Sequence, residues 1–581
     1  MGTGNKSWDE IEAQILVIGS EAAGAKAAIE AQEDGADVLI VTKGLVGKSG
    51  NTVMAGWGIQ APLGHMDPRD NTDVFFEDVV KGGAYLNNQK LVEALVRLSV
   101  AEVPKMEKWG ARFQKNGDKF VQYQLPGSSY PRTLHPIGRH GGLHWRKAFK
   151  AQFRRLNTKI MEDVFITRLL LTNGQVSGAF GISLRDGRFL VFRSKITILA
   201  TGGCTQIFRR TDGSIDATGD GIILAYNAGA ELMDMEFHQF FPLCSYTPPF
   251  EMSNLPGSLR YELHAKFYNA LGEEFMGRYL PLSKDWGLRD PTSRAIYLEN
   301  KYGRGSPHGG AYIAVNHLPH NLLDQWVKKH PAGHLSKLEK AGIDIRKDAI
   351  EVGPGSHYTI GGVRINENCE SGLPRLYAAG EVATGMDGAE RIDGGPAITW
   401  CLSMGYIVGK RAAKQIRELD WLGIDPEQVK EEQEKIDLLM KQKTGVRGFE
   451  IKNKVKDIMW EYCALVRDGE GLRKALSLLQ EMRNNDQPRV CVPDPSRIFN
   501  RGLIEAIEAA NMLEISEMTV RAAIMREETR KSHYRTDFSK RDDKKWLRNI
   551  TIKKQEGRMS LTTISPVITR LRPPEKEETE A

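Results

Sequence analysis

Residues Gln14 to Ile18 (QILVI) form an unbroken apolar run of strand length, the pattern of a strand covered on both faces in a parallel sheet. Gly19 follows at once, then the small residues Ala22-Ala23-Gly24-Ala25. Through AKAAIEAQEDG the apolar positions recur at helical spacing until Gly35 stops them. Residues Ala36 to Val41 (ADVLIV) return to the strand pattern, so a strand, a tight turn, a helix and a second strand open the chain. Two later runs, Lys195 to Ala200 (KITILA) and Arg375 to Ala379 (RLYAA), are closed by Thr201-Gly202-Gly203 and by Gly380-Glu381. Buried-type strands this far apart, each ending in a glycine turn, predict one parallel sheet assembled from distant segments.

The texture changes between about Pro242 and Gly353, where aromatics, prolines and charges interrupt the sheet-forming pieces. This region reads as an inserted domain. After Gly409 the pattern is helical (EEQEKIDLLMKQ, GLRKALSLLQEMRN, IEAIEAANMLEISEMTVRAAIMREETR), and from Ser539 the chain becomes basic and loop-like before an acidic tail. The expected division is a sheet domain over 1–241 and 354–415, an insert over 242–353, a helical domain over 416–538 and an extension over 539–581.

Composition removes several classes. The 581 residues hold 80 Lys+Arg against 74 Asp+Glu, a net charge of +6, too small an excess for a nucleic-acid binder without an aromatic–basic module. The 58 glycines follow no repeat period and suggest many close backbone approaches, as around a large ligand. Six scattered cysteines include no Cys-x-x-Cys pair, so no metal or iron–sulfur ligand set is expected. Their sparse use suits the cytoplasm, where thiols stay reduced. The uncharged run Gly394 to Gly409 is shorter than a membrane span needs, and the polar start Met1 to Ala13 is unlike a secretion signal.

A strand ending at Gly19 and opening a helix is the setting of a pyrophosphate-binding turn, where amide N–H groups and the helix dipole meet phosphate charge. Here the turn reads Gly19-Ser20-Glu21-Ala22-Ala23-Gly24, with a glutamate in place of the second glycine. Its carboxylate must turn away from the phosphates. The second strand ends on Thr42-Lys43 rather than on an acid, which leaves a hydroxyl for a ribose.

Eight further segments follow in order: Lys48–Gly58 (KSGNTVMAGWG), Ala200–Gly203, Thr218–Gly221, Glu236-Phe237-His238, Leu288-Arg289-Asp290, Ser356–Gly362 (SHYTIGG), Ala379–Ala383 (AGEVA) and Gly388–Arg391. Over Gln14 to Leu547 the chain resembles the flavoprotein subunits of succinate dehydrogenases and fumarate reductases, whose relatives include L-aspartate oxidase and the adenylylsulfate reductase α-subunit. The resemblance implies an α/β fold: a glutathione-reductase-type, Rossmann-like FAD-binding domain, an inserted α+β capping domain and a C-terminal helical domain. It places FAD against Gly19, Ser20, Glu21, Ala23, Gly24, Thr42, Lys43, Ser49, Gly50, Asn51, Thr52, Gly56, Gly58, Ala200, Thr201, Gly202, Asp220, Gly380, Glu381, Ala397 and Ile398. Succinate dehydrogenases attach FAD through a histidine at the position of Asn51, so noncovalent FAD is implied here. The helix after Gly394-Gly395-Pro396 would point its positive end at the flavin.

The resemblance also implies hydride transfer between flavin N5 and a C–C bond next to a carboxylate, with His238, His357 and Arg391 as the carboxylate clamp and Arg289 as proton donor. A guanidinium ordinarily holds its proton to a pH of about 12.5 or beyond, so a neighbouring carboxylate must reprotonate it, and Asp290 is the candidate. Two departures stand out. Where the family carries a Thr-Glu pair, this chain reads Pro256-Gly257-Ser258-Leu259-Arg260, and Arg391-Ile392-Asp393-Gly394-Gly395-Pro396 replaces an Arg-Leu-Gly-Gly-Asn-Ser segment. The implied partners are a small carboxylate substrate and a separate iron–sulfur subunit, with peripheral membrane association through a partner. Two alternatives stand beside this reading: sulfite–AMP chemistry of the adenylylsulfate reductase kind, and a noncatalytic electron-relay subunit.

Overall fold

The computed structural model describes residues 7–56, 58–139, 141–329 and 338–574. Trp57, the first six residues and the acidic end of the tail lie outside the described residues.

The apolar runs build a seven-stranded sheet. Its order is Lys159–Met161, Val38–Val41, Trp8–Ile18, Phe189–Leu199, Gln175–Ser183 and Val164–Thr172, with Leu376–Ala378 also pairing with Phe189–Leu199. The strands foreseen in sequence are parallel, with Ile15 beside Ile196 and Val38, and Thr197 beside Leu376. The first strand starts at Trp8, six residues before the apolar run, because Phe189–Ser194 offers it a continuous partner. Gln175–Ser183 and Val164–Thr172 extend the sheet antiparallel, which the period of the sequence did not announce. Helices Ala22–Glu33 and Pro396–Gln415 pack against each other, their inward faces buried among small and apolar residues.

A second core, from Phe241 to Val352, belongs to the insert. Its antiparallel sheet runs His238–Ser245, Ile350–Thr359, Ala311–Ala314, Lys266–Tyr268. The strands that carry the chain into and out of the insert pair with each other, His238 opposite Thr359 and Ser245 opposite Val352, so residues at their first-domain ends face the space between the two cores. Helices Pro426–Lys441, Gly448–Cys463, Gly469–Glu481 and Arg501–Met525 follow.

The loop-like reading of the segment after Ser539 does not hold. Asn549–Gln555 and Arg558–Ile564 form a hairpin that joins Leu232–Met233, placing Leu232 opposite Ile552. Ile550 and Ile552 are fully buried, and the surrounding lysines and arginines occupy the solvent side of the ribbon. The buried run 549–552, and not the charge density around it, decides the structure here. All six cysteines are free. Among the described residues no helix is long and apolar enough to cross a membrane, and no acidic, histidine or cysteine group is placed to hold a metal ion.

Candidate active site

One large cavity, about 1810 Å³ including its open mouth, lies between the sheet domain and the insert. The chain reaches it at the carboxyl ends of the parallel strands, where open α/β sheets bind ligands. Gly19 takes φ +109°, and a Cβ there would meet the Ala200 carbonyl oxygen at 2.1 Å, so only glycine lets the first turn pack against the strand end beside it. Past that turn, helix Ala22–Glu33 begins with no side-chain cap, and Glu21 to Ala23 line the cavity.

Glu21 behaves as its charge requires. Its Oε2 accepts from the Thr52 amide at 2.8 Å, and burial pushes its carboxyl up to about 7. Asn51 is held at both ends, donating to Glu381 Oε2 at 3.2 Å and accepting from the Ser214 amide at 2.7 Å. Glu381 also accepts from the Thr359 amide at 2.9 Å, and burial raises its pKa. Across the cavity, helix Pro396–Gln415 starts from Gly395 at φ +102°, again with no side-chain cap, and Gly395, Ala397 and Ile398 line the wall.

A long anionic cofactor fits these residues. Two helix N-termini, neither capped by its own N-cap side chain, open into one cavity, although the Ala22 amide donates to Thr52 Oγ1 at 3.1 Å. The Thr201 hydroxyl is buried there without a hydrogen-bond partner, and Gly202 leaves open space where a Cβ would stand. Glu21, Ala23, Gly50, Asn51, Thr52, Gly56, Gly58, Ala200, Thr201, Gly202, Gly380, Glu381, Ala397 and Ile398 all line it.

Other expected contacts fall elsewhere. Gly19 and Gly24 pack the turn from behind, and Ser20 Oγ bonds Thr42 Oγ1 at 3.3 Å. Lys43 does not face the cavity: its ammonium bonds Asp220 at 2.7 Å and Glu508 at 2.9 Å, so Lys43 and Asp220 are used in an ion pair to helix Arg501–Met525. Ser49 Oγ bonds the Leu45 carbonyl.

At the insert end, Gln239 Oε1 accepts from Arg391 Nη2 at 2.9 Å and Nε at 3.2 Å, and from Arg289 Nη1 at 3.3 Å. Arg391 lies 3.9 Å over the Tyr358 ring. Arg289 Nε is 2.8 Å from Asp393 Oδ1, whose other oxygen accepts from Tyr261 OH at 2.6 Å. His357 Nδ1 is 2.7 Å from Asp212 Oδ2, and burial lowers the imidazole's pKa while Asp212 opposes the shift. Arg289, Arg391 and His357 therefore line one region of the cavity.

His238 does not join them. It is fully buried, 3.4 Å from Thr519 Oγ1 and edge-on to Phe208, and burial pushes its pKa down to about 3. The reason is strand alternation: Gln239 and Phe241 face the arginines, so His238 and Phe240 must face the core. Asp290 is likewise corrected as a partner of Arg289. Its Oδ1 accepts from the Phe240 amide at 2.9 Å, and Asp393 stands beside the guanidinium instead. Gln239, Phe241, Asp212, Tyr261 and Asp393 went unnoticed in sequence as members of the site; only the period of two along HQFFPLCS pointed to the first pair.

Residues 14–396 match the FAD binding domain family and 452–579 the fumarate reductase flavoprotein C-terminal family. A FAD-dependent oxidoreductase of Methanocaldococcus jannaschii is 36% identical over 554 residues, covering 94% of this chain and 96% of that one. One subunit of the fumarate reductase (CoM/CoB) of Methanothermobacter marburgensis is 35% identical over 545 residues, with 94% and 97% covered. The structure of Mycobacterium smegmatis Sdh1 in complex with UQ1 superposes with a TM-score of 0.86 at 31% identity, covering 97% of this chain and 96% of that one.

Proposed function

The chain belongs to the flavoprotein-subunit family of fumarate reductases and succinate dehydrogenases, and from that premise we propose that it reduces or forms a C–C double bond next to a carboxylate. FAD, when bound, supplies a two-electron carrier whose N5 exchanges hydride with the substrate. The observation that carries the reading is the meeting of Arg289, Arg391 and His357 in the cavity that the first glycine turn and helix Pro396–Gln415 also line.

Arg391 and His357 hold the carboxylate and take up the charge that develops on it. Gln239, bonded to both guanidiniums, sets their separation. Arg289 gives or takes the proton on the face opposite the hydride. Asp393 returns to Arg289 a proton that comes from solvent, and Tyr261, kept protonated by burial and by the aspartate, orients that carboxylate through its hydroxyl. The insert, closing over these groups, excludes water from the reacting carbons.

Asn51 carries no nucleophilic ring nitrogen, so FAD is held without a covalent bond. With no cluster ligands among the described residues, electrons pass to a separate iron–sulfur subunit, through which peripheral membrane attachment would also come. Six free cysteines support a cytoplasmic setting.

Purified holoprotein should release its flavin on acid precipitation, and anaerobic addition of a suitable acid should change the flavin spectrum. Arg289→Gln should keep the flavin and lose about 10²–10⁴-fold in turnover. Full turnover in that variant would refute the proton role.

A further inference from the structure

The walls around the basic cluster define the acid more narrowly, and this inference rests on the hydride-transfer reading above. The two guanidiniums that line the cavity converge on one oxygen, Gln239 Oε1, at 2.9 and 3.3 Å. Phe241 occupies the space next to them, its ring centroid 5.2 Å from that of His357 and 5.4 Å from Arg289 Cζ. His135, the other imidazole of the lining, lies beside Gly58 on the wall of the FAD-binding domain.

Beyond Phe241 the insert's wall continues with Asn254, Leu255, Pro256, Gly257 and Ser258, none of them charged. Its Pro256, Gly257 and Ser258 belong to the stretch 256–260 that stands where the family carries a Thr-Glu pair. The nearest cation in sequence, Arg260, is fully buried outside the cavity lining: its Nε donates to the Asp285 carbonyl at 3.0 Å and its Nη2 to the Gly287 carbonyl at 2.5 Å, while its Nη1 has no hydrogen-bond partner. One carboxylate therefore finds Arg391 and His357, with Arg289 beside them as proton donor, whereas a second would face a phenyl ring, a leucine, a proline and the uncharged side chains of Asn254 and Ser258. An ionised group buried without a partner is far costlier than an alkyl or aryl group in the same place.

We infer that the substrate is an unsaturated acid with a single carboxylate and an apolar far end, or its saturated counterpart, rather than a dicarboxylate such as fumarate. In the reductive direction the C=C bond takes a hydride, with its electron pair, at the carbon β to the carboxylate and a proton from Arg289 at the α carbon. The flavin is left oxidised by two electrons, to be restored by a one-electron donor of the iron–sulfur class or by reduced viologen in vitro. Arg289 regains its proton from solvent by way of Asp393.

The test is anaerobic steady-state kinetics of the holoprotein with reduced methyl viologen, comparing 2-butenoate, 2-hexenoate and cinnamate with fumarate. The expected result is a kcat/KM for at least one monocarboxylate about tenfold or more above that for fumarate, with KM falling as the apolar end grows. Phe241→His should move the ratio at least about tenfold toward fumarate, while Arg391→Lys weakens both classes together. Turnover of fumarate in preference to every monocarboxylate would overturn the inference and leave the hydride-transfer reading standing. Oxidation of the reduced flavin by no acid of either class would overturn both. An unchanged ratio in a folded, flavin-loaded Phe241→His variant would remove Phe241 as the selecting residue and, with it, the selectivity assigned to this wall.

Discussion

Glu21 is the residue at which an ordinary dinucleotide turn is most altered. A carboxylate in place of glycine would repel a diphosphate, yet its side chain is folded back onto the Thr52 amide and burial lifts its pKa from 4.5 to about 7. Below about pH 7 the folded chain keeps this carboxyl neutral, while the unfolded chain ionises it near 4.5, so rising pH between those values costs the folded state stability. The same ionisation sets a negative charge beside the proposed pyrophosphate position. FAD affinity should therefore fall as pH rises through about 7, by roughly tenfold, and Glu21→Gln should flatten that dependence in a fluorescence titration of the apoprotein. A wild-type affinity unchanged across the interval would show that the carboxyl, folded back onto Thr52, is too far from the phosphates for its charge to be felt.

Helix Pro396–Gln415 and strand His238–Ser245 show how elements assign chemistry that residues alone do not. The helix can aim its N-terminus into the cavity because Gly395 adopts φ +102°, where a Cβ would also lie 2.7 Å from the Gly58 carbonyl oxygen. Gly395→Ala should cost about 1–3 kcal/mol in urea-induced unfolding and lower flavin occupancy, since the strained turn and the cavity wall are one piece of backbone. Wild-type stability and occupancy in this variant would mean that the turn relaxes freely. In the strand, an extended backbone sends neighbours to opposite faces. That turns Gln239 to the two arginines, Phe241 into the cavity and His238 into the core, where burial lowers the imidazole's pKa to about 3.

At the scale of the whole molecule, the C-terminal segment is part of the domain that builds the cavity. Arg526, fully buried, donates to Glu236 Oε1 at 2.7 Å and Glu528 Oε1 at 2.9 Å, and Glu528 also accepts from Arg530 at 2.7 Å. Glu236 shortly precedes the strand that carries Gln239 and Phe241, and the hairpin Asn549–Gln555 with Arg558–Ile564 completes the sheet that holds Leu232–Met233. Removing one partner of a buried ion pair leaves uncompensated charge, at a cost of about 3–5 kcal/mol. Arg526→Ala should show that loss in chemical denaturation, and truncation before Asn549 should yield a chain that loses flavin and aggregates. A truncated chain that stays folded and yellow would make the hairpin an accessory.

Apolar runs, glycine turns and ordered motifs sufficed to read the parallel strands, the glycine turn after the first of them, the insert and the family, because each leaves its pattern within a short stretch of chain even where its partners are distant. Arg289, Arg391 and His357 were legible through their segments. What sequence order could not convey was facing: whether His238 or Phe241 looks into the cavity, whether Asp290 or Asp393 meets Arg289, whether Lys43 binds a ribose or a distant glutamate. Those choices are made by strands and helices brought together from positions far apart in the chain. Only their packing decides which side of each backbone is core and which is cavity.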